Sequence, residues 1–308
     1  MTPARRAIAP RLAGAALLAV LAPLSVPAPA HAAPPVDPAA MTAGLPDGRA
    51  VLERAVEAMG GQEAFDAITS VAVDLVMTVP TGEMRVEALA GEADQLSVRF
   101  TVELQSPVQA RMVKNGDVAW ATMQPLDDEL EPIGEPQLMP QAPSRELRQF
   151  GFAVRAHWMV LRMLEDYETI RTVEITQFED QAALRVRVSD PRTDRAREQA
   201  PGDRFLYVSL ADGLPLGIDA PVEGEGEPRQ ILAFKDVREF GDLRLFTRMT
   251  GSRGTARQSF VFESIDFNVV PAAAFAVPEE VRRREAARRE AEAAAGGAGD
   301  GDTGAAGG

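Results

Sequence analysis

The sequence contains no cysteine and very little histidine, and each shortage excludes a kind of chemistry. Without cysteine the chain forms no disulfide and offers no thiolate nucleophile or thiolate metal ligand. It also cannot carry the lipid that a bacterial lipoprotein receives on a cysteine at its cleavage site. Of the two histidines, His31 lies in a predicted signal peptide. The mature chain is therefore expected to keep only His157, which excludes a zinc site with two or more histidines.

The motifs of several common enzyme classes are missing as well. No Gly-x-Ser-x-Gly elbow accompanies His157, and no phosphate-binding glycine loop or dinucleotide fingerprint occurs. Carboxylates are abundant, so a carboxylate-dependent hydrolase stays open as an alternative. In a chain with a net charge of −14, however, exposed acidic loop residues are the default. We predict no catalytic residue, no metal site and no cofactor, and we expect His157 to be structural.

The N-terminus has the three parts of a secretory signal. Arg5, Arg6 and Arg11 form a positive start, residues 12–24 form a short apolar core, and residues 30–32 supply the small-x-small pattern that signal peptidase cuts after. The apolar run is too short to span a bilayer of roughly 30 Å comfortably. We expect a mature protein that begins near Ala33 and is periplasmic or secreted.

Lysine is nearly missing, and the net charge of −14 becomes −17 when a signal with three arginines and no acidic residue is removed. This charge argues against partners that are nucleic acids and against adsorption on anionic lipid headgroups.

The composition divides the chain into four segments. We predict a signal peptide at 1–32, a disordered proline-rich leader at 33–46, a single domain at 47–281, and a charged, Gly/Ala-rich disordered tail at 282–308. The Arg/Glu/Ala run that opens the tail could be helical, but it has no apolar stripe, which favours a solvated tail. Within the domain, the acidic stretch 125–143 contains five prolines and is expected to be a long irregular loop.

Two segments have helical periodicity. The first is capped by Asp47, ends at Gly60 and Gly61, and places on one face Val51, Leu52, Ala55, Val56 and Met59. The second is predicted to run from a cap at Ser144 to about Tyr167. Its apolar stripe consists of Leu147, Phe150, Val154, Trp158, Leu161, Met163 and Leu164.

The rest of the domain alternates with the period of a strand. In the stretch QLSVRFTVEL, which starts at Gln95, every second residue is apolar. In the stretch VKNGDVAWATMQP, Asn115-Gly116 is expected to form a primed turn between two strands. About a dozen such strands, each with one solvent-exposed and one buried face, predict an α+β domain built on an antiparallel sheet.

Four stretches of this sequence, in order, resemble the LolA-like family of exported proteins. They are AVEAMGG with FDAITSVAVDLVMT, the hairpin VKNGDVAWATMQP, the strand start LADGLPLGIDA, and the closing strands FKDVREFGDLRLFTRMT and ESIDFNVVPAAAFAVPEEV. Together they span 47–281. The acidic proline-rich loop is longer than a compact carrier needs, and the tail is additional.

The resemblance implies a strongly curved, incompletely closed antiparallel β-barrel of about 11–12 strands, with helices covering its open side. In carriers of the family the concave apolar surface receives acyl chains. Phe100, Met112, Trp120 and Trp158 are then expected to line the ligand-binding cavity. The alternative is that they are ordinary core residues, with Trp120 filling space under the mid-chain helix.

Three functions follow. The first is an exported, non-catalytic carrier or binder of an acyl-chain or lipoprotein ligand, monomeric and in transient contact with membrane proteins. The second is a periplasmic interaction or sensor module on the same fold, without cargo. The third is the hydrolase. A continuous apolar cavity would favour the first, and a filled barrel with an exposed apolar patch would favour the second.

Overall fold

A computed structural model describes residues 44–79, 82–92, 94–102, 108–126, 133–139, 151, 154–189, 202–221, 229–253 and 256–297. The predicted signal peptide, residues 33–43 of the leader, and Ser144 lie outside these residues. The helices are α1 (Gly48–Ala58), α2 (Gln62–Asp66), α3 (Met159–Asp166) and α4 (Glu279–Gly297), with 3-10 turns at Ala156–Trp158 and Ala272–Phe275. The strands are β1 (Val71–Val79), β2 (Gly82–Ala90), β3 (Gln95–Val102), β4 (Val108–Asn115), β5 (Val118–Pro125), β6 (Gln137–Leu138), β7 (Thr169–Phe178), β8 (Gln181–Ser189), β9 (Arg204–Ser209), β10 (Pro215–Ala220), β11 (Gln230–Phe240), β12 (Leu243–Arg253) and β13 (Ala256–Phe267).

All the described strands belong to one antiparallel sheet. Its order is β6-β5-β4-β3-β2-β1-β13-β12-β11-β10-β9-β8-β7, so each half is a meander between sequence neighbours. The two halves are joined where β1 pairs with β13, with Val71 opposite Phe267. Among the described strands β6 and β7 are the two edges, so the sheet does not close. The predicted α+β class and open, curved antiparallel barrel are confirmed, with thirteen strands where about 11–12 were expected.

Helix α1 forms as its sequence predicts. The Asp47 carboxylate accepts a hydrogen bond from the amide of Ala50 at 3.0 Å, which satisfies one of the unpaired donors of the first turn. The predicted stripe is buried throughout. Gly60 and Gly61 both have positive φ and end the helix. The helix packs against α3 and against β7, β8 and β9. We call the sheet face that carries α1 and α3 the inner face, and the opposite face the outer face.

The second helix is shorter and less regular than its pattern indicates. A 3-10 turn at Ala156–Trp158 precedes α3, which ends where Tyr167 is extended. Val154, Leu161 and Met163 are buried as predicted. Trp158 and Leu164 are only partly buried against the core, and Leu147 and Phe150 lie outside the described residues.

The turn between β4 and β5 is shifted by one residue from its predicted place. Asn115 pairs with Val118, so the loop is Gly116-Asp117 rather than Asn115-Gly116. Only Gly116 has positive φ, at 58°, as in a type II′ turn, which has positive φ at its first loop residue alone. The turn is therefore of the primed kind that the sequence predicted.

Gly116→Ala is expected to lower the free energy of unfolding by about 1–2 kcal/mol, because an L-residue with a Cβ is strained at this φ. No heavy atom lies within 4 Å of the added Cβ, so the loss measures backbone strain alone. The matched control is Asp117→Ala, expected to change stability by less than about 0.5 kcal/mol. Equal losses in urea melts of the two variants would contradict this assignment of the turn.

Two segments differ from the sequence expectation. Inside the proline-rich stretch, Gln137–Leu138 forms the two-residue strand β6 on the edge of β5, so this part is not irregular. Beyond residue 281, where the pattern favoured a disordered tail, the chain is helical to Gly297. Helix α4 begins at Glu279, inside the predicted domain, and buries Val281 against the sheet.

Candidate functional site

The inner face of the sheet is a continuous apolar surface. Alternate residues of the strands point towards α1 and α3 and form one large cluster with them. Methionine is frequent in this cluster, with Met59, Met77, Met112, Met159, Met163 and Met249 all buried. Methionine is unbranched and polarizable, so a surface rich in it can repack around apolar groups of different shape.

Three of the four predicted ligand-binding residues lie on this inner side. Phe100 and Met112 are buried in the cluster, and Trp158 is packed at its margin. The Trp158 ring meets the Phe65 ring edge-on at a centroid distance of 5.7 Å and the Phe267 ring at 6.4 Å. These positions agree equally with a ligand-lining role and with the alternative of ordinary core residues.

Trp120 lies on the opposite, outer face, so the prediction that it shares a cavity with Met112 needs correction. Directly opposed residues of an antiparallel pair share a face. Met112 is opposite Ala121, and both pack on the inner cluster, whereas Trp120 is opposite Val113. Trp120 and Val113 instead form a separate cluster with Val281 of α4. Trp120 therefore fills space under α4, and not under the mid-chain helix.

Four polar contacts fix the helices over the inner face. The Arg49 guanidinium donates to the carbonyls of Leu164 at 3.0 Å and Tyr167 at 3.3 Å, which joins α1 to α3. Arg155 donates to the carbonyls of Glu92 at 3.0 Å and Gln95 at 2.8 Å, at the turn between β2 and β3. All four acceptors are backbone oxygens, so these contacts hold the helices without burying a carboxylate.

His157 is fully enclosed beneath the 3-10 turn. Its Nε2–H donates to the carbonyl of Phe246 at 2.8 Å, and its ring stacks on that of Phe246 at a centroid distance of 4.1 Å. Burial disfavours the charged imidazolium and lowers the pKa of His157 to about 4, against an opposing effect of the Phe246 carbonyl. The contacts of His157 are with aromatic rings and a backbone oxygen, as befits a structural residue.

A cavity of about 260 Å³ opens at the end of the β7–β8 hairpin. Its lining mixes apolar and charged side chains: Phe178, Glu179, Gln181, Leu216, Phe234, Lys235 and Asp236. The Lys235 ammonium and the Glu179 carboxylate form an ion pair at 2.8 Å. The volume is below the roughly 300–1,000 Å³ of most small-molecule sites, and the charges suit an acyl chain poorly.

The described residues include no group of three or more acidic or histidine side chains that could hold a metal ion. Among the helices of the described ranges, none is both long and apolar enough to cross a membrane.

Arg111 is a half-buried residue that the sequence reasoning missed. Its guanidinium donates to the Ser97 hydroxyl at 3.2 Å and to the Ala274 carbonyl at 2.7 Å, and it lies 5.8 Å from the centre of the Trp120 ring. Desolvation by burial lowers its pKa, followed in effect by the charge of Arg99. The alternation of β4 places Arg111 on the face of Val113, which is the signal that would have assigned it to the outer face.

Comparison with known proteins identifies the fold. No family model matches the sequence, and no curated protein matches it. A DUF1329 family protein from Desulfovibrio piger aligns with 75% of this chain and 97% of its own, at 11% identity and a TM-score of 0.50. A LolA superfamily protein from Nitrosomonas europaea aligns with 76% of this chain and 99% of its own, at 14% identity and a TM-score of 0.48. At these identities the likeness is one of fold alone, and it is the DUF1329 family protein whose fold this chain shares.

Proposed function

We propose that this protein is an exported, non-catalytic binding or carrier protein for a hydrophobic ligand with an acyl chain, either a free amphiphile or a lipoprotein. The observation that carries the proposal is the inner face. It is an extended apolar surface on a sheet that does not close, and its cover is a pair of helices rather than further strands. The fold shared with LolA-like proteins supports the proposal without identifying a ligand.

The ligand would enter between the sheet and α3. In the described residues the inner face is occupied by side chains of α1 and α3, so binding requires α3 to move and apolar contacts to be exchanged. Burial of each methylene contributes about 0.8 kcal/mol, so a chain of a dozen or so methylenes can offset the lost contacts of α3. Part of that gain is consumed by ordering the ligand and displacing the helix. We assign the lining to Phe100, Met112 and Trp158.

Titration of the delipidated mature protein with a fluorescent fatty-acyl probe tests the proposal. We expect saturable binding in the micromolar range and little change between low and high salt, since apolar contacts dominate. Two single-tryptophan variants locate the probe: Trp120→Phe leaves Trp158 as the reporter on the inner side, and Trp158→Phe leaves Trp120 on the outer side. Trp158 emission should change on binding and Trp120 emission should not.

The opposite pattern of emission, or an absence of saturable binding, would contradict the carrier function. Turnover of the probe would favour the hydrolase. Native mass spectrometry of protein purified from its own envelope gives an independent result, because a carrier should retain an acyl-bearing molecule.

The filled inner face also favours a second candidate, an interaction or sensor module on the same fold that carries no cargo. Such a module needs a docking surface instead of a cavity. Native mass spectra free of lipid, together with capture of a defined partner by the outer face, would support it over the carrier.

A further inference from the structure

The outer face of β4 and β5 carries a small apolar cluster that the chain covers with its own C-terminal helix. This outer cluster consists of Val113, Trp120 and Val281, with Val118, Leu138 and Val277 packed against it. Val281 is the residue that α4 contributes, and it is completely buried. The next inward-facing residue of α4 is Glu285, one turn further on, so the helix offers the sheet little apolar surface.

Two polar groups at this surface lack a negatively charged partner: in the described part of the chain the Trp120 N–H has no acceptor, and the Arg111 guanidinium has only the neutral acceptors of Ser97 and Ala274. The indole Nε1–H of Trp120 is buried, since the residue is only 4% exposed, and it has no hydrogen-bond partner among the described residues. Arg111 lies beside the same ring and has no carboxylate within ion-pair distance among the described side chains. Buried donors are normally paired, so the Trp120 N–H points to a missing acceptor, and the neighbouring guanidinium favours an acceptor of negative charge.

The acidic residue of α4 that faces inward does not fill this role. The Glu285 carboxylate accepts from Arg288 at 2.8 Å and from Arg289 at 2.7 Å on its own helix. Hydrogen bonds from these two arginines lower the pKa of Glu285 to about 2, so it stays ionised and internally paired. The charge of the Glu285 carboxylate is thus balanced by arginines of its own helix.

The same internal pairing makes α4 separable from the sheet. Glu280 pairs with Arg284 and Glu285 with Arg289, each four residues apart, in the acid-before-base order that stabilises isolated helices. Beyond Val281 its contacts include two ion pairs of exposed or half-exposed side chains, from Arg284 to Glu135 and from Arg289 to Asp117, and one hydrogen bond from Arg284 to the Pro136 carbonyl. Contacts of this kind contribute little, so α4 can leave the surface without unfolding.

We propose that the outer cluster is a docking surface for an acidic, apolar segment of a partner protein, and that α4 occupies it in the free protein. The partner would replace Val281 with its own apolar side chains. It would also place a carboxylate or carbonyl against the Nε1–H of Trp120 and the guanidinium of Arg111. This surface lies on the opposite face from the proposed ligand site and does not depend on it.

The test weakens the contact between α4 and the outer cluster and measures how tightly the protein then binds two peptides. Val281→Lys removes the apolar contact and would place a charge at a completely buried position, so it should release α4. The probes are blocked peptides of about 18 residues, long enough to form helices, with leucine at core spacing and either glutamate or lysine at the other positions. Because the protein has a net charge of −14, nonspecific attraction would favour the lysine peptide.

We expect Val281→Lys to bind the glutamate peptide and not the lysine peptide. The wild-type protein should bind it about tenfold more weakly, because only molecules with α4 released are competent. Adding Trp120→Phe keeps a ring but removes the N–H, and should weaken binding by about threefold to tenfold. The matched control Val237→Lys, at an exposed position of β11, should behave as wild type.

Hydrogen exchange of residues 279–297 reports whether α4 is released. If Val281→Lys leaves it protected, Val281→Lys combined with Arg284→Ala also removes the contacts with Glu135 and Pro136. Continued protection in both proteins would overturn the proposal. So would a released α4 with no preference for the glutamate peptide, or concentration-dependent dimerisation, which would identify a second copy as the occupant.

Discussion

Replacing Trp120 with alanine is expected to lower the free energy of unfolding by about 3–5 kcal/mol. The ring is 4% exposed and packs between Val113 of the sheet and Val281 of α4. Its removal leaves a cavity that the paired strands cannot close, since β5 is held by hydrogen bonds to β4 along its whole length. The contact that fixes α4 is lost as well.

Guanidinium denaturation followed by far-UV circular dichroism gives the free energy. The matched control is Trp120→Phe, which keeps most of the packing and removes an indole N–H for which the described part of the chain offers no acceptor. Since that N–H contributes no hydrogen bond, the control should lose far less than the alanine variant. A loss below about 1 kcal/mol for alanine would place the ring in an open surface instead of the outer cluster. Faster hydrogen exchange in 279–297 should accompany the large loss.

The side of the sheet on which Trp120 lies could have been deduced from the sequence. With a two-residue hairpin loop, the residue numbers of each directly opposed pair add up to an odd number. Trp120 therefore pairs with an odd-numbered residue of β4 whether the loop is 115–116 or 116–117. Met112 is even-numbered and must point the other way. Placing Met112 and Trp120 in one cavity was therefore inconsistent with the predicted hairpin itself.

Local patterns predicted most of the elements because one face of each is buried. The stripe of α1 and the alternation of β1 match the burial found in the structure, and in β3 the apolar positions whose side chains are described are buried, together with Ser97. Their signal is strong because solvent and core impose opposite chemistry on successive residues of a strand. The Asp47 cap is equally local, since donor and acceptor are three residues apart.

Non-local features could not be predicted in the same way. The pairing of β1 with β13 brings together residues near opposite ends of the domain, and no local pattern encodes it. Strand β6 is too short to show a period. Among the described side chains of α4, only Val281 is both apolar and buried, so neither element has a detectable pattern. Gly217 in β10 is another case. An added Cβ there would lie 2.4 Å from both the Leu232 carbonyl oxygen and the Phe178 ring, a crowding that only the folded structure reveals.

Acidification is expected to destabilise the protein through His157, by about 3 kcal/mol between pH 7 and pH 4. The pKa is lowered from 6.5 to about 4 in the folded state. Between these values the unfolded chain binds a proton that the folded protein does not, so stability rises with pH in this window and falls as the pH drops from about 6.5 towards 4. The full contribution is present above 6.5.

Carboxylates also titrate in acid, so the effect of His157 is isolated by comparing the free energy of unfolding of wild type with that of a variant that lacks the imidazole. His157→Gln keeps a neutral donor for the Phe246 carbonyl but does not titrate. The free energy of unfolding of wild type minus that of the variant should be constant above about pH 6.5 and should decline towards pH 4. Parallel curves for the two proteins would contradict the buried, neutral imidazole. So would an NMR titration that gives the His157 ring a pKa near 6.5.

Amide hydrogen exchange of the same two proteins tells whether protonation of His157 acts locally or on the whole fold. His157 lies in the 3-10 turn that leads into α3, and its only hydrogen-bond partner in the described structure is the Phe246 carbonyl on β12. A charged imidazolium in this aromatic setting would be relieved by movement of that turn away from the sheet. We therefore expect amide exchange in 156–166 to accelerate at pH 5 before exchange in β12 does, and to remain slow in His157→Gln. Uniform acceleration across both elements would mean that acid acts on global unfolding alone.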